Sequence, residues 1–269
     1  MRGAHLYTLF DMKNKNVDPY QDIYDAWTTK PSAVANTAYN KMVSALVDLG
    51  SWATADIFQF FSTHTNDNGE ALKNWISPGT LDPSMEETPD WSQYNGFLSL
   101  VGLPKAYIKT NYTPSINAVK YQLNAATLII GNGTNTNDGS QFGCNDAGSI
   151  EAKIASYDGG NMRLSLNSQF NDTTPNTIGG GIGYFGGTRP DDSNVKMWQN
   201  LTSTSKVKST DSLPTRELFA GAYNIGSAEM SVNRLRFVWA GGYLTDAQYI
   251  GTINAIETCL DTLGTGLIP

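Results

Sequence analysis

The loop from residue 132 to residue 146 concentrates side chains that carry oxygen ligands. Asn137, Asp138, Asn145 and Asp146 lie within it. Carboxylate and amide oxygens are donors that Ca²⁺ takes, and they also hydrogen-bond sugar hydroxyls. The loop lacks the spaced acids and terminal Glu of an EF-hand. The sequence therefore predicts no obligatory cofactor. Two interpretations of the loop stay open: a solvated turn, which is the default, and a ligand site for which Ca²⁺ is one candidate.

Aromatic side chains in strand-like runs supply ring faces on which sugars stack. Such residues are Tyr184, Phe185, Trp198, Tyr223 and Trp239. Alternating aromatics in a β-sandwich are more often core residues, so the loop candidates are the better ones. The predicted carbohydrate-binding set is Asn137, Asp138, Asn145, Tyr184 and Trp198.

The residues typical of a hydrolase site are not recognisable. The two histidines, His5 and His64, have no nucleophile signature nearby. A retaining glycosidase needs two carboxylates about 5 Å apart across a groove. The pairs Glu86-Glu87 and Asp191-Asp192 are instead adjacent acids in turn-rich segments. The sequence therefore predicts that the protein is not an enzyme.

The segment Gly181-Ile-Gly-Tyr-Phe-Gly186 fits the spelling G-x-G-x-x-G. A dinucleotide site needs a helix directly after this motif, so that the pyrophosphate sits on the helix N-terminus. The following Gly187-Thr-Arg-Pro190 is incompatible with a helix. A glycine-rich strand with bulges is the expectation.

Composition excludes several classes of partner. Charged residues make up 16% of the 269 residues, against about 25% in an ordinary soluble protein, and 25 acidic residues outnumber 18 basic ones. Nucleic acids and anionic membranes need clustered Lys and Arg, so both are disfavoured. The chain has no run of ~20 apolar residues, which argues against membrane insertion. Two cysteines, Cys144 and Cys259, are expected to be free thiols.

Two helices are predicted from apolar spacing. Tyr39, Met42, Val43 and Leu46 recur at helical intervals and predict a helix over residues 37–49. A second helix is predicted over residues 245–263, with Thr245 as its N-cap and Gly264 at its end. Its apolar stripe consists of Ile253, Ile256, Leu260 and Leu263.

Most of the chain has the composition of short strands separated by turn residues. In the run Asn233–Ala240, Leu235, Phe237 and Trp239 alternate with Arg234, Arg236 and Val238, which predicts a strand with one buried face. Further strand-like runs are predicted at residues 57–61, 107–108, 123–130, 149–157, 162–167, 178–185, 195–201 and 217–224. This spacing predicts a mainly β fold, an antiparallel jelly-roll β-sandwich with an N-terminal and a C-terminal closing helix.

Residues 1–30 are predicted to form an N-terminal arm, and residues 31–269 the jelly-roll domain with its leading helix. The arm carries five aromatic residues, and Lys30-Pro31 marks its boundary. Two interpretations are open. The arm is a strap on its own domain, or it docks on a neighbouring subunit; attachment is the hypothesis carried forward.

The chain from Lys196 to the closing helix resembles a known family. The segments are Lys196-Met-Trp-Gln-Asn-Leu-Thr202, Glu217-Leu-Phe-Ala-Gly-Ala-Tyr-Asn224 and Arg234-Leu-Arg-Phe-Val-Trp-Ala-Gly-Gly-Tyr-Leu-Thr-Asp-Ala-Gln248, followed by the closing helix. Together they are similar to the concanavalin A-like (laminin G type) jelly-roll modules of tailed-bacteriophage virion proteins. The catalytic Glu-x-Asp-x-Glu strand of the glucanase branch is absent from the sequence.

The resemblance implies a bacteriophage virion structural protein, such as a fibre, decoration or tail component. Its outward-facing, lectin-like jelly roll would hold host surface glycans. Its partners would be other virion proteins and further copies of itself, and its location would be the phage particle. The alternative is a carbohydrate-active enzyme or the carbohydrate-binding module of one.

Overall fold

A computed structural model describes residues 18–99, 106–134, 141–146, 150–158, 161–169, 181–225, 228–230 and 232–268. Asn137, Asp138 and residues 1–17 of the predicted arm lie outside these ranges.

The described residues form four α-helices, of which the sequence predicted two. They are α1 (Pro19–Ala26), α2 (Ala33–Asp48), α3 (Pro114–Asn117) and α4 (Asp246–Thr262). Thr245 caps α4 in a capping box, in which its side chain accepts from the Gln248 backbone N–H and the Gln248 side chain accepts from the Thr245 backbone N–H. Both predicted helices are confirmed, although α2 begins four residues early because Ser32 caps it. Within the described chain, no helix is long and apolar enough to cross a bilayer.

The strands form two sheets. Sheet A contains β1 (Ala55–Phe60), β3 (Asp90–Ser92), β4 (Gly96–Leu98), β6 (Ala126–Asn132), β10 (Gly183–Arg189), β11 (Asn194–Gln199), β12 (Thr202–Val207) and β16 (Arg234–Gly241). Sheet B contains β2 (Ser84–Glu86), β5 (Tyr107–Lys109), β7 (Phe142–Asn145), β8 (Ile150–Asp158), β9 (Asn161–Gln169), β13 (Phe219–Ala220), β14 (Ala222–Asn224) and β15 (Ala228–Met230). Apart from a single parallel bridge between β14 and β7, the pairing is antiparallel. The predicted mainly β sandwich with N-terminal and C-terminal helices is confirmed.

Two cores divide the molecule into three layers. The first core lies between the helices and sheet A, where Phe58, Phe237 and Trp239 meet side chains of α1, α2 and α4. The second core lies between the two sheets, where Ile130 and Val238 of sheet A are buried with the inward residues of sheet B. Sheet A is therefore covered on both faces, by α1, α2 and α4 on one side and by sheet B on the other.

The predicted alternation along β16 is wrong at its start. Phe237 and Trp239 face the helices, but Leu235 lies in the core between the sheets together with Val238. The pairing of β16 with β6 shifts register between Leu235 and Phe237. A β-bulge places two residues of one strand opposite one residue of its neighbour, so it reverses the face on which earlier residues lie.

Residues 18–30, the described part of the predicted arm, pack on the protein's own core. Tyr20, Ile23 and Trp27 are at most 4% exposed. The ring of Trp27 lies 5.5 Å from the rings of Tyr39 and Trp75, centroid to centroid. These residues therefore behave as a strap on their own domain. Attachment through residues 1–17 and the domain boundary at residue 30 stay predictions.

Both cysteines are free and buried. Cys144 lies in the core between the sheets, and Cys259 lies in the core beneath the helices. Because the two thiols belong to different layers, a bridge between them is not formed.

Candidate functional site

One cross-strand row defines the outer face of sheet B. Residues directly opposite each other in paired strands project from the same face. The row runs through Ser84, Lys109, Phe219, Gly143, Lys153 and Ser165. Their neighbours along the strands, among them Ile108, Phe142 and Ile154, are buried between the sheets. The row therefore lies on the surface opposite to the helices, and we call this surface the outer face.

Two aromatic rings lie together at one end of the outer face. The centroids of Tyr107 and Phe219 are 4.7 Å apart, and their planes are tilted by 36°. Tyr107 is half-buried, and Phe219 is 7% exposed. Beside them, the ammonium group of Lys109 forms an ion pair with the carboxylate of Glu86. This end of the face combines an apolar platform with charged hydrogen-bonding groups.

Glu217 adds a carboxylate close to the same end. Its Oε1 accepts a hydrogen bond from the backbone N–H of Asn111 at 2.6 Å. Burial raises the pKa of Glu217, and the Asn111 hydrogen bond and the charge of Lys109 oppose that shift. A carboxylate whose pKa is raised by burial is a recognised feature of functional sites as well as of structural ones.

The carboxylate of Glu151 occupies the other end of the row. It accepts hydrogen bonds from the hydroxyl of Ser165, at 2.7 Å, and from the hydroxyl of Tyr223. The ammonium nitrogen of Lys153 lies 4.0 Å from Glu151 Oε1 and 4.4 Å from the centroid of the Tyr223 ring. Burial, followed by the charge of Glu151, raises the pKa of Tyr223, so its hydroxyl stays protonated and donates. Glu151 is only 2% exposed, and it holds β8, β9 and β14 together.

Of the polar loop residues, Asn145 and Asp146 are described, and they lie near Glu151 at this end of the row. Asn145 lies directly opposite Glu151 and hydrogen-bonds Tyr223. One oxygen of Asp146 accepts from the backbone N–H of Thr215 at 2.7 Å. The other carboxylate oxygen of Asp146 and the amide oxygen of Asn145 are buried without a protein hydrogen-bond partner. Among the described residues, no three His, Cys, Asp or Glu side chains are grouped as metal ligands.

The structure does not bring Tyr184 and Trp198 to a surface, so neither ring face is available for stacking on a sugar. Both are buried beneath α4. Trp198 stacks on Tyr249 with centroids 4.4 Å apart, and the hydroxyl of Tyr184 donates to Glu257. The physical reason is that α4 covers the face of sheet A on which both rings project.

The pair Tyr107 and Phe219 was not singled out from the sequence. Each lies in a very short strand, and their strands are more than a hundred residues apart in the chain. The alternation of Tyr107, Ile108 and Lys109 was the available signal, because it places the tyrosine and the lysine on one face. Which residues then lie beside them depends on strand register.

No protein-family model matches the chain, and no curated protein matches it. Several solved structures are similar in shape. The botulinum neurotoxin serotype D binding domain gives a TM-score of 0.50 at 9% identity, over 79% of this chain and 53% of that one. A mutant Trypanosoma rangeli sialidase with trans-sialidase activity gives a TM-score of 0.49 at 12% identity, over 82% of this chain and 39% of that one.

A third similar structure is domain 4 of AbnA, a GH43 extracellular arabinanase from Geobacillus stearothermophilus, in complex with arabinotriose. Its TM-score is 0.41 at 12% identity, over 74% of this chain and 98% of that one. The chain spans about half of the neurotoxin binding domain and less than half of the sialidase. At these identities the likeness concerns the fold alone, and the neurotoxin comparison agrees with the β-sandwich assignment.

Proposed function

We propose that the protein is a non-catalytic, lectin-like β-sandwich that binds glycans through the outer face of sheet B. The observation that carries the proposal is the half-buried ring of Tyr107, which packs on Phe219 beside the row that contains Lys109, Phe219 and Lys153. A pyranose ring has an apolar C–H face and a rim of hydroxyl groups. Aromatic faces with a few polar groups beside them are the complement of such a ligand.

The arrangement of carboxylates favours binding over hydrolysis. Glu151 is buried, and both of its oxygens accept hydrogen bonds from hydroxyl groups of the protein. A general base or nucleophile must reach the substrate directly. Glu217 is more accessible than Glu151, but one of its carboxylate oxygens accepts a hydrogen bond from the backbone N–H of Asn111. We therefore assign Glu151 a positioning role for Tyr223 and Lys153.

The biological setting that we propose is a bacteriophage particle, in which the protein is a fibre, decoration or tail component. This proposal is supported by the resemblance of residues 196–248 to jelly-roll modules of virion proteins. A surface poor in charge and rich in Asn, Ser, Thr and Gly agrees with it. Further copies of the chain and other virion proteins are the proposed partners.

The glycan proposal predicts which substitutions weaken binding. Replacing Tyr107 with Ala removes half of the ring platform, and replacing Lys153 with Met removes one donor but keeps the apolar stem. Each change is expected to weaken binding of a neutral bacterial surface glycan about tenfold, because a ring contact or a charged hydrogen bond contributes about 1–3 kcal/mol. Isothermal titration of the full chain against a panel of such glycans measures this.

The matched control is Tyr24→Ala, a half-buried tyrosine in the helix layer on the other side of the molecule. Equal loss of binding in Tyr24→Ala and Tyr107→Ala would contradict the assignment to the outer face. The same incubations are assayed for reducing ends, which are expected to be absent. Release of reducing ends that disappears in Glu151→Gln or Glu217→Gln would establish the enzyme alternative instead.

A further inference from the structure

β12 forms an open edge of sheet A. It is six residues long, and among the described strands it pairs only with β11. Thr202, Ser205 and Val207 are exposed, Val207 by 86%, so the rest of the chain leaves these side chains uncovered. An edge strand presents a row of unpaired N–H and C=O groups, which is a template for pairing with another chain. β12 is therefore a candidate interaction surface.

The sequence of β12 offers little protection against such pairing. Edge strands are commonly protected by Pro, by bulges or by charged side chains. β12 contains no Pro, and Lys206 is its single charged residue. Its pairing with β11 runs without a register shift, so no bulge twists the edge away. The residues at its centre have small hydroxyl side chains, which let a second backbone approach; they are Ser203, Thr204 and Ser205.

A hydrogen bond at the end of β12 shows which of its backbone groups point outward. The N–H of Lys208 donates to the carbonyl of Ser193, the residue before β11, at 2.7 Å. The backbone groups of successive residues in an antiparallel strand point to opposite sides. Thr202, Thr204 and Lys206 therefore direct their N–H and C=O groups to β11. The residues that direct theirs to the open edge are Ser203, Ser205 and Val207.

This alternation restricts how two copies of β12 can pair antiparallel. The outward groups of one strand must meet the outward groups of the other, so a two-fold axis passes beside a residue and not between two residues. The register centred on Thr204 pairs the whole strand. In that register Ser203 faces Ser205 of the second copy, and Lys206 faces Thr202 of the second copy. No like charges are then directly opposite each other, an arrangement that would be destabilising.

The same register brings exposed apolar side chains together at both ends of the paired strands. Leu201 is 42% exposed and Val207 is 86% exposed. They lie three residues before and three residues after Thr204. Leu201 of each copy therefore comes opposite Val207 of the other, and residues opposite each other project from the same face. Pairing removes from water apolar surface that a single copy exposes.

We propose that β12 joins two copies of the chain edge to edge across a two-fold axis, in the register centred on Thr204. The two copies of sheet A then form one continuous sheet. An isologous contact of this kind is closed, so association through it stops at a dimer. Self-association is part of the proposed function, on which this interface rests in that respect. Residues 1–17, the proposed attachment segment, would join such a dimer to particles or to further copies.

Sedimentation equilibrium of the full chain over a wide range of protein concentration tests the interface. The wild type is expected to reach twice the chain mass and no more. Ser205→Pro removes an outward N–H but no hydrogen bond to β11, and Pro is tolerated on edge strands at such positions. It is expected to raise the dissociation constant about tenfold or more, because the lost hydrogen bond occurs twice by symmetry. The matched control is Ser205→Ala, which keeps the N–H and is expected to associate like the wild type.

A charge exchange tests the register. Val207→Asp is expected to weaken the dimer, because it places a carboxylate against the apolar Leu201 of the second copy. Adding Leu201→Lys to the same chain places opposite charges across the interface at both ends and is expected to restore association. Ile116→Asp, at a 76% exposed position on α3, is the control and is expected to change nothing. A double variant no better than Val207→Asp would overturn the register, and an equal effect of Ile116→Asp would overturn the surface.

Failure of this interface is distinguishable from failure of the proposed function. Tyr107→Ala is expected to weaken glycan binding and to leave the dimer intact, whereas Ser205→Pro is expected to do the reverse. A wild type that stays monomeric at every concentration, or a dimer that persists unchanged in Ser205→Pro, would overturn the role of β12 whatever the glycan titrations show. A chain beginning at Asp18 is expected to remain a dimer. Circular dichroism of each variant confirms that it remains folded.

Discussion

His64 connects the N-terminal strap to the rest of the protein. Its Nε2 lies 2.7 Å from the carbonyl oxygen of Thr29, so the N–H at Nε2 donates there. Its ring packs edge-on against Trp27 at 4.9 Å, and Nδ1 is buried without a hydrogen-bond partner. The side chain of His64 is only 7% exposed. Protonation would add an unpaired N–H and a charge to a buried site.

This placement predicts a pH-dependent stability. Burial lowers the pKa of His64 below its ordinary value of 6.5, against the opposing effects of the Thr29 carbonyl and Glu70. The unfolded chain therefore takes up a proton at higher pH than the folded chain does, and stability falls as pH drops below about 6.5, by at most about 1.4 kcal/mol per pH unit.

Urea unfolding of the wild type and of His64→Gln at about pH 7.5 and about pH 5.5 measures this dependence. The wild type is expected to lose more stability than the variant between the two values. Glu70, whose carboxylate accepts from the backbone of Thr29 and Asn68, has a lowered pKa and affects stability only in more acidic solution. An equal loss of unfolding free energy in the wild type and the variant between the two pH values would contradict the role assigned to His64.

At the scale of elements, two glycines of β10 lie where any larger residue would clash with a neighbouring layer. A Cβ added to Gly186 would lie 2.6 Å from the hydroxyl of Tyr249, and one added to Gly187 would lie 2.2 Å from a methyl carbon of Leu164. Tyr249 belongs to α4 and Leu164 to β9, on opposite faces of the strand. The glycine-rich segment therefore permits two layers to approach one strand closely. The predicted glycine-rich strand is confirmed, but its pairing with β6 and β11 has no register shift, so the predicted bulges are wrong.

The capping box of α4 predicts a second stability change. Thr245→Ala removes the side-chain acceptor for the Gln248 backbone N–H and is expected to cost about 1 kcal/mol of unfolding free energy. Thr258→Ala is the matched control, because that exposed threonine bonds only the carbonyl of Asn254 within the same helix. The control is expected to change stability by less than about 0.5 kcal/mol. Equal effects in urea unfolding would show that the cap contributes little.

At the scale of the whole molecule, the strap and the helices form one layer against sheet A. Tyr20, Ile23 and Trp27 share a core with α2, α4 and the helix-facing residues of sheet A. Each such buried side chain contributes about 1.5–3 kcal/mol by area. Together they approach the net stability of a typical domain, about 5–15 kcal/mol. Among the described residues, this layer lies on the side of sheet A that faces away from sheet B.

Two truncations separate a structural role of the strap from the proposed attachment. A chain beginning at Pro31 is expected to melt far below the wild type, because it lacks three buried side chains. A chain beginning at Asp18 is expected to keep its melting temperature but to lose association with particles or with further copies of itself. Calorimetry and co-purification with assembled phage measure the two properties. Full association without residues 1–17 would assign the attachment elsewhere.

The sequence by itself determined the two long helices and the β-sandwich class, but not the short helices α1 and α3. Helical spacing and capping residues located α2 and α4, because 3.6-residue periodicity and cap hydrogen bonds are local properties of the backbone. Short strand-like runs between turn residues determined the β-sandwich. The sequence also lacks recognisable catalytic motifs, which favoured a binding function over an enzymatic one.

Only the tertiary structure decided which residues share a face and which faces remain open. The bulge between Leu235 and Phe237 reversed part of a strand, and α4 buried the predicted stacking residues Tyr184 and Trp198. The row from Lys109 through Phe219 to Lys153 depends on register between strands that are distant in the chain. Register and layer coverage arise from long-range packing, whereas periodicity reports only the local conformation.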